Sequence, residues 1–311
     1  WTSRYLERAE QSARVMDVHL SLMLDDPSDM VGRSLLAAVG PPPAGFAAGS
    51  SAGEPEMGRI DPIHRAAVAG CVVGARENAR QIREQISAEM WEQLNRMYLL
   101  VLQADHADPA NMDPGTFLRA VVDGAYLLHG VTEATLSHGE GWHYMQLGQY
   151  IERALTTASM LEAYFAQPAA TGTNDGDVDI AAVKYADSIG LLRASAAFEA
   201  YCRHYTAELR PERLAEFLLL NSEFPRSVRF AVDRIEESLR AVGLTLGRQS
   251  NGSPERYAGR LRAALNYGQI DEIMADSLVR YVQSIAKQCG QVHTALYETY
   301  ITYSIEAAIA R

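Results

Sequence analysis

Residues 4–24, RYLERAEQSARVMDVHLSLML, decide the fold class. At 100° per residue Tyr5, Ala9, Ser12, Met16, Leu20 and Met23 fall on one stripe of a helix. Val15, Val18 and Leu22 fall on a second stripe, which runs toward the N-terminus into Arg4, Glu7, Arg8 and Gln11. A helix that is apolar on two sides is packed on two sides. The charged groups at its N-terminal end are therefore expected at least partly inside a helical assembly. Desolvation costs roughly several kcal/mol per ion, so those groups must be paired.

The pattern recurs. Residues 5–18, YLERAEQSARVMDV, align without a gap with residues 150–163, YIERALTTASMLEA, at a shift of 145 that carries Tyr5 onto Tyr150 and Glu7-Arg8 onto Glu152-Arg153. In the second copy Met160 and Ala163 continue into Gln149, Glu152 and Arg153. A related stretch, ARENARQIREQIS at 75–87, sets Arg76, Arg80 and Arg83 on one stripe continued by Ser87, Leu94 and Tyr98. Its aliphatic face, Ala79, Ile82, Ile86, Met90 and Met97, lies alongside. If the three segments converge, Glu7 and Glu152 meet a surplus of guanidinium groups from Arg4, Arg8, Arg76, Arg80 and Arg153. Two readings stay open: a closed ion-pair network that fixes helix register, or a pocket whose excess positive charge receives a phosphate or carboxylate.

Outward from these stretches the pattern is helical almost throughout, with expected helices over roughly 1–24, 29–39, 60–72, 74–104, 114–129, 138–166, 178–209, 211–221, 226–242, 254–267 and 271–307. Asp113-Pro114 and Ser253-Pro254 pair an N-cap with proline at the first helical position, and Ser137 with Glu140 forms a capping box. Residues 40–58 and 168–177 resist helix because they are rich in Pro, Gly, Ala and Ser, and 247–254 is a shorter case. None coincides with a change of composition. The expected architecture is all-α, a single large helical bundle over 1–311 with a flexible insert at about 40–58. Duplication into two related halves is a hypothesis resting on the repeat.

Composition narrows the function classes. The chain has 311 residues, a net charge of −11 and 48% hydrophobic residues, which supports a sizeable core and argues against a general nucleic-acid coat. Only Lys184 and Lys287 are lysines among 28 basic residues. Codon bias explains such a ratio, and so do arginines in buried pairs or clamping anions. The three cysteines, Cys71, Cys202 and Cys289, form no CxxC pair, which fits a reducing cytoplasm. No signal peptide or membrane span is read, and the start inside a helix suggests that residues preceding Trp1 are missing.

Other chemistry finds little support. Glu140-x-x-His143 is half of a di-iron signature without its second half, and Glu140 already serves the capping box, so no metal or cofactor is expected. The eight histidines show no i,i+4 pair, and no GxSxG, P-loop or GxGxxG after a strand is present. Asn221 to Ser227 reads as a turn feeding a helix, where backbone N–H groups and Arg226 could hold an anion or Phe224 could act as a plug. Trp91 and Tyr98 read as core. The tyrosine-rich stretch 291–305 reads as closing the bundle, with partner docking as the other possibility.

Five motifs, RYLERAE at 4–10, ARENAR at 75–80, WEQLN at 91–95, LGQYIERA at 147–154 and FPRSVRF at 224–230, resemble the alpha-E family, an α-helical domain with a recurring Glu-Arg motif. The likeness runs from Arg4 to about residue 242 and more loosely beyond. Gln149 departs from it, standing where arginine is common in the family. The resemblance implies a bacterial setting beside circularly permuted ATP-grasp carboxylate–amine ligases, with transglutaminase-like peptidases or amidohydrolases as companions. Its motifs nominate Glu7, Arg8, Arg76, Glu77, Asn78, Arg80, Glu152, Arg153 and Arg226. The leading expectation is an accessory or binding component of an amide-forming system, holding an anionic small molecule or peptide through Arg4, Arg8, Arg76, Arg80, Arg153 and Arg226. The alternatives are an enzyme using Glu7 or Glu152 as general base, and a purely structural scaffold.

Overall fold

The computed structural model describes residues 1–25, 30–39, 62–106, 113–166, 180–206, 208–246 and 253–302. Residues 40–58 and 168–177, and most of 247–254, lie outside them. The described residues form α-helices with no strand: α1 (Thr2–Asp25), α2 (Met30–Val39), α3 (Pro62–Gln81), α4 (Ala88–His106), α5 (Pro114–Thr135), α6 (Glu140–Phe165), α7 (Ile180–Ala194), α8 (Phe198–Tyr205), α9 (Pro211–Leu220), α10 (Val228–Thr245), α11 (Ser253–Tyr267), α12 (Ile270–Asp276) and α13 (Leu278–Leu296). The all-α expectation is met. Two compact units emerge, Trp1–Ser137 with Ala166–Glu199, and His138–Phe165 with Ala200–Arg311.

In the first unit α1 lies against α2, α3, α5 and α7, and α4 closes a ring of four between α3 and α5. Small residues make this possible: Ala9, Ala13, Ala75 and Ala79 are fully buried. The Tyr5 ring lies on Gly74, where an added Cβ would stand 3.4 Å away. Between α4 and α5 the fit is closer, since a Cβ on Gly124 would stand 2.9 Å from Met97 Cγ. Gln93 Nε2 donates to the Gly124 carbonyl at 3.1 Å across the same seam. Gln11 Nε2 donates to the Ala194 carbonyl at 2.7 Å and so ties α1 to the end of α7.

The second unit is organised alike. Here α6 lies against α10 and α13, and α11 closes the ring. Leu147, Ile151, Ile235, Leu239, Val242, Ala258, Val292, Leu296 and Tyr300 form its core cluster. Arg262 joins α11 to α10 through Asp233 at 2.7 Å and Glu236 at 3.3 Å. Gln283 Nε2 on α13 donates to Glu162 on α6 at 2.7 Å. Neighbouring helices in both rings run antiparallel, as in up-down-up-down bundles.

The two rings also share a register. The shift of 145 relates α1 to α6. A shift of 164 carries the buried Met90, Leu94, Met97 and Val101 of α4 onto the buried Pro254, Ala258, Leu261 and Leu265 of α11. The same shift carries Leu118, Val121, Ala125 and Leu128 of α5 onto Val282, Ile285, Cys289 and Val292 of α13, all buried. It also superposes two N-caps: Asp113 accepts from Thr116 N, and Ser277 accepts from Arg280 N. The hypothesis of two related halves thereby gains a second segment of support, in which core positions repeat even where residue types differ.

Three expected helices are interrupted. The stretch 74–104 breaks after Gln81, passes through a 3-10 turn at Arg83–Gln85, and restarts when Ser87 Oγ accepts from Met90 N at 3.1 Å. A serine cap ended a run whose propensities were all helical. The stretch 178–209 breaks at Ala196, whose φ of 49° lies in the left-handed region and ends α7. The stretch 271–307 breaks at the Ser277 cap. In addition α6 starts at Glu140, with the Gly139 carbonyl accepting from His143 N at 3.1 Å, two residues later than the capping box suggested. Tyr300 joins the core cluster, so the described part of the tyrosine-rich stretch closes the bundle.

Leu128→Ala and Leu147→Ala, which empty fully buried sites in the two units, should each cost about 2–5 kcal/mol in denaturant unfolding. Gly259, with open space around its Cβ position inside α11, should tolerate alanine with a gain of about 0.5–1 kcal/mol.

Candidate functional site

The nominated residues divide between the units. Arg4, Glu7, Arg8, Arg76, Glu77, Asn78 and Arg80 belong to the first, and Glu152, Arg153 and Arg226 to the second.

On α3 the arginines find local partners. Arg76 Nε donates to Asn95 Oδ1 at 2.7 Å, and its Nη1 donates to Glu77 Oε1 at 2.9 Å. The same guanidinium lies 4.4 Å from the Tyr98 ring centre and 5.2 Å from that of Trp91. A planar cation held edgewise by oxygens and facially by aromatic rings is fixed in orientation. Trp91 and Tyr98, expected in the core, are instead half-buried and serve as its platforms. Arg80 Nε donates to Glu77 Oε2 at 2.9 Å, while Asn78 caps back onto the Gly74 carbonyl at 2.8 Å. The hydrogen bond from Arg80, with the charges of Arg80 and Arg76, holds the Glu77 carboxyl below the usual carboxylate range.

Arg80 nonetheless remains 62% exposed, and its two terminal NH₂ groups make no bond to the described residues. Three residues on, past the end of α3, Arg83 is also exposed; it lies 5.6 Å from the Trp91 ring centre and donates once, to the Ile86 carbonyl at 3.3 Å. Both guanidinium groups are thus exposed on either side of the break after Gln81.

On α1 the charge is buried. Glu7 is 1% exposed, and its Oε2 lies 3.6 Å from His129 Nε2 on α5. Glu10, fully buried, pairs with Arg14 at 2.5 Å, and Arg14 also donates to the Tyr126 hydroxyl at 2.5 Å. Arg4 lies 5.0 Å from the ring of Trp1, and Arg8 is half-buried. The partner that sequence reasoning missed is His129. Its signal was the repeat at 164 residues, which carries FLxxVxxxAxxLH at 117–129 onto YVxxIxxxCxxVH at 281–293.

In the second unit Glu152, Arg153 and Arg226 are all buried. Arg153 Nη1 donates to the Pro225 carbonyl at 3.3 Å and its guanidinium lies 5.3 Å from the Tyr150 ring, which itself faces Phe230. Thr157 Oγ1 donates to the Arg226 carbonyl at 3.1 Å. The turn from Asn221 is closed on itself: Asn221 Oδ1 accepts from Glu223 N and Phe224 N, Ser227 Oγ donates to the Asn221 carbonyl, and Ser227 Oγ accepts from Phe230 N. Phe224 stacks near Phe217 with centroids 4.9 Å apart, the plug reading of this turn.

Among the described residues no three His, Cys, Asp or Glu side chains stand close enough to hold a metal ion, and no helix is long and apolar enough to cross a membrane. None of the three cysteines is in a disulfide among the described residues, and burial pushes the Cys289 thiol up to about 12.

Glu77 gives a direct check on the α3 network. A carboxyl lowered in the folded state contributes stability that is present above its unfolded value and lost as pH falls through the folded one. Carbon-13 titration should find Glu77 below ordinary glutamate, and Arg80→Ala should move it most of the way back; a midpoint unmoved by that change would refute the assigned cause.

Residues 1–301 match the Alpha-E family, described as "A predicted alpha-helical domain with a conserved ER motif". An uncharacterized protein of Mycobacterium bovis and two of Mycobacterium tuberculosis are each 22% identical to the chain over 322 residues, covering 95% of it. The chain spans about a third of the length of these curated relatives, 35% in each case. No solved structure matches it significantly. The Glu-Arg helices α1 and α6, the helical architecture and the match over nearly all residues agree, and the chain belongs to the Alpha-E family.

Proposed function

We propose that this chain is a binding component of an amide-forming system of the ATP-grasp carboxylate–amine ligase type, and that it holds an anionic group of substrate, product or partner. The observation that carries the reading is the pair of exposed guanidinium groups at the turn between α3 and α4. Arg80 and Arg83 are three residues apart in the chain and both exposed, with the Trp91 ring alongside Arg83. Guanidinium forks of this kind match the planar oxygens of carboxylate and phosphate. Arg76, locked by Asn95, Glu77 and two rings, positions Glu77 and so Arg80. The ligase setting comes from the family resemblance. A reducing, cytoplasmic setting is consistent with three cysteines outside any disulfide, two of them buried.

A second reading, in which the chain itself handles a proton during amide-bond chemistry, draws on the Glu7–His129 approach. Under the scaffold reading the α3 network only fixes helix packing.

Thermal stability should rise on adding at least one of inorganic phosphate, ATP or glutamate, and the rise should vanish in Arg80→Ala/Arg83→Ala while the ligand-free midpoint changes little. No response to any of the three anions would leave the scaffold reading in its place.

A further inference from the structure

The arginines of the α3–α4 seam are tied together through Arg76. Arg76 and Arg80 donate to the two oxygens of one carboxylate, Glu77 Oε1 and Oε2, each at 2.9 Å. Arg76 and Arg83 share one indole, with their guanidinium carbons 5.2 and 5.6 Å from the Trp91 ring centre. Arg76 is therefore the common neighbour of both exposed arginines. Two of its nitrogens are engaged, Nε by Asn95 and Nη1 by Glu77. Its Nη2 makes no bond to the described residues, in a side chain that stays 23% exposed. The terminal nitrogens of Arg80, and Nε and Nη2 of Arg83, are open in the same way. Among the described residues Glu77 is the one carboxylate bonded to this group; Glu84, on the turn itself, bonds to none of the three.

The second unit shows the same seam with its charges closed. A shift of 160 carries the buried Val68, Cys71, Val72, Ala75 and Ala79 of α3 onto the buried Val228, Ala231, Val232, Ile235 and Leu239 of α10. In that register Arg76 falls on Glu236, and the shift of 164 carries Tyr98 onto Arg262. Both pairs are in contact: Arg76 lies 4.4 Å from the Tyr98 ring centre, and Arg262 pairs with Glu236 at 3.3 Å. Each cation of the second seam has its own carboxylate. Arg262 meets Asp233, Arg240 meets Glu236, and Arg234 meets Glu237. Packing two helices in this register does not call for surplus guanidinium, so the surplus at α3–α4 needs another reason.

Three cations around one carboxylate repel one another until a further anion joins them. Glu77 already supplies a single negative charge on two oxygens. A dianion attracts each guanidinium about twice as strongly as a monoanion at the same distance. A phosphate monoester carries roughly that charge at neutral pH, and its three terminal oxygens can accept from Arg76 Nη2 and from an exposed arginine together.

We infer that the α3–α4 seam takes a phosphate monoester dianion, with Arg76 among its donors, and that each chain offers one such site because the α10–α11 seam is closed by its own carboxylates. The inference rests on the anion-binding reading and names its ligand class.

Titration calorimetry on the whole chain tests it, with methyl phosphate as the probe. Dimethyl phosphate, of the same tetrahedral shape but with one charge, and glutamate serve as comparisons. Methyl phosphate should bind once per chain, at least about tenfold more tightly than either. Arg76→Lys, which keeps the charge but loses the plane, should weaken binding about tenfold. Arg83→Ala, at an exposed position, should weaken it as well, and Arg240→Ala in the second unit should leave it unchanged. Inorganic phosphate should bind no more tightly than methyl phosphate; a tighter fit would assign the site to free phosphate and overturn the ester. Glutamate or dimethyl phosphate binding as tightly as methyl phosphate, through Arg80 and Arg83, overturns the dianion and leaves the anion-binding reading standing. Silence toward every anion removes both. Wild-type affinity in Arg76→Lys strikes Arg76 from the donors, and two sites per chain, or a loss in Arg240→Ala, overturns the assignment to one seam.

Discussion

A helix enclosed by other helices has little face left for water, and α1 is such a helix over its first four turns. From Thr2 to Val18 most of its residues are buried, and Glu7, Glu10 and Gln11 are among them. Everything nearby answers to that constraint. Alanines at 9 and 13 let α3 and α5 approach, and Gly74 leaves room for Tyr5. Each buried polar group then needs a partner, on the same helix or on a neighbouring one, because leaving one unmatched costs more than the bond itself contributes. Gln11 reaches the end of α7, Glu10 is met by Arg14, and Glu7 faces α5. The polar groups therefore specify register as well as charge balance: a slip of one residue along α1 would carry Gln11 and Glu7 away from α7 and α5, while the Glu10–Arg14 pair, within α1, would move as a unit.

Much of this was legible in the sequence and part was not, for identifiable reasons. The two-sided apolar pattern of residues 4–24 gave the enclosed helix, because periodicity reports burial directly. The Asp113-Pro114 cap was read correctly because its signal is local. The break near residue 82 escaped because Gln81 to Gln85 are all tolerable in a helix, and a single serine at 87 decided the matter. The α3 arginines were expected to meet Glu7, yet Glu77 lies one and three residues away from them. Proximity along a helix costs little ordering entropy, so the local carboxylate wins. His129 was invisible for the opposite reason: its partner is 122 positions away, and only the third dimension joins them.

The duplication separates what a bundle requires from what it tolerates. Core positions of α4 and α5 recur in α11 and α13 at one constant shift, while the residue types at those positions vary. Filling a ring of four helices demands apolar volume at fixed intervals, which Leu118 or Val282 satisfies equally well. The connection is equally instructive. Between α11 and α13 the chain forms the short helix α12, and the Ser277 cap falls where Asp113 falls in the first unit. Register is thus held by the caps and the core, whatever the connection does.

The scarcity of lysine can be weighed on the same footing. At Arg76 one cation meets two oxygens in its plane and two aromatic rings on its faces. An ammonium group has no plane to present, so it could keep the charge but lose the fixed orientation. At Arg80, by contrast, the terminal donors face water, and a lysine would pair with Glu77 nearly as well. Genome composition can account for the residue type at surface positions of that second kind. At Arg76 the geometry itself demands guanidinium, and because Arg76 orients Glu77, which in turn holds Arg80, the requirement reaches the exposed Arg80 through one intervening carboxylate.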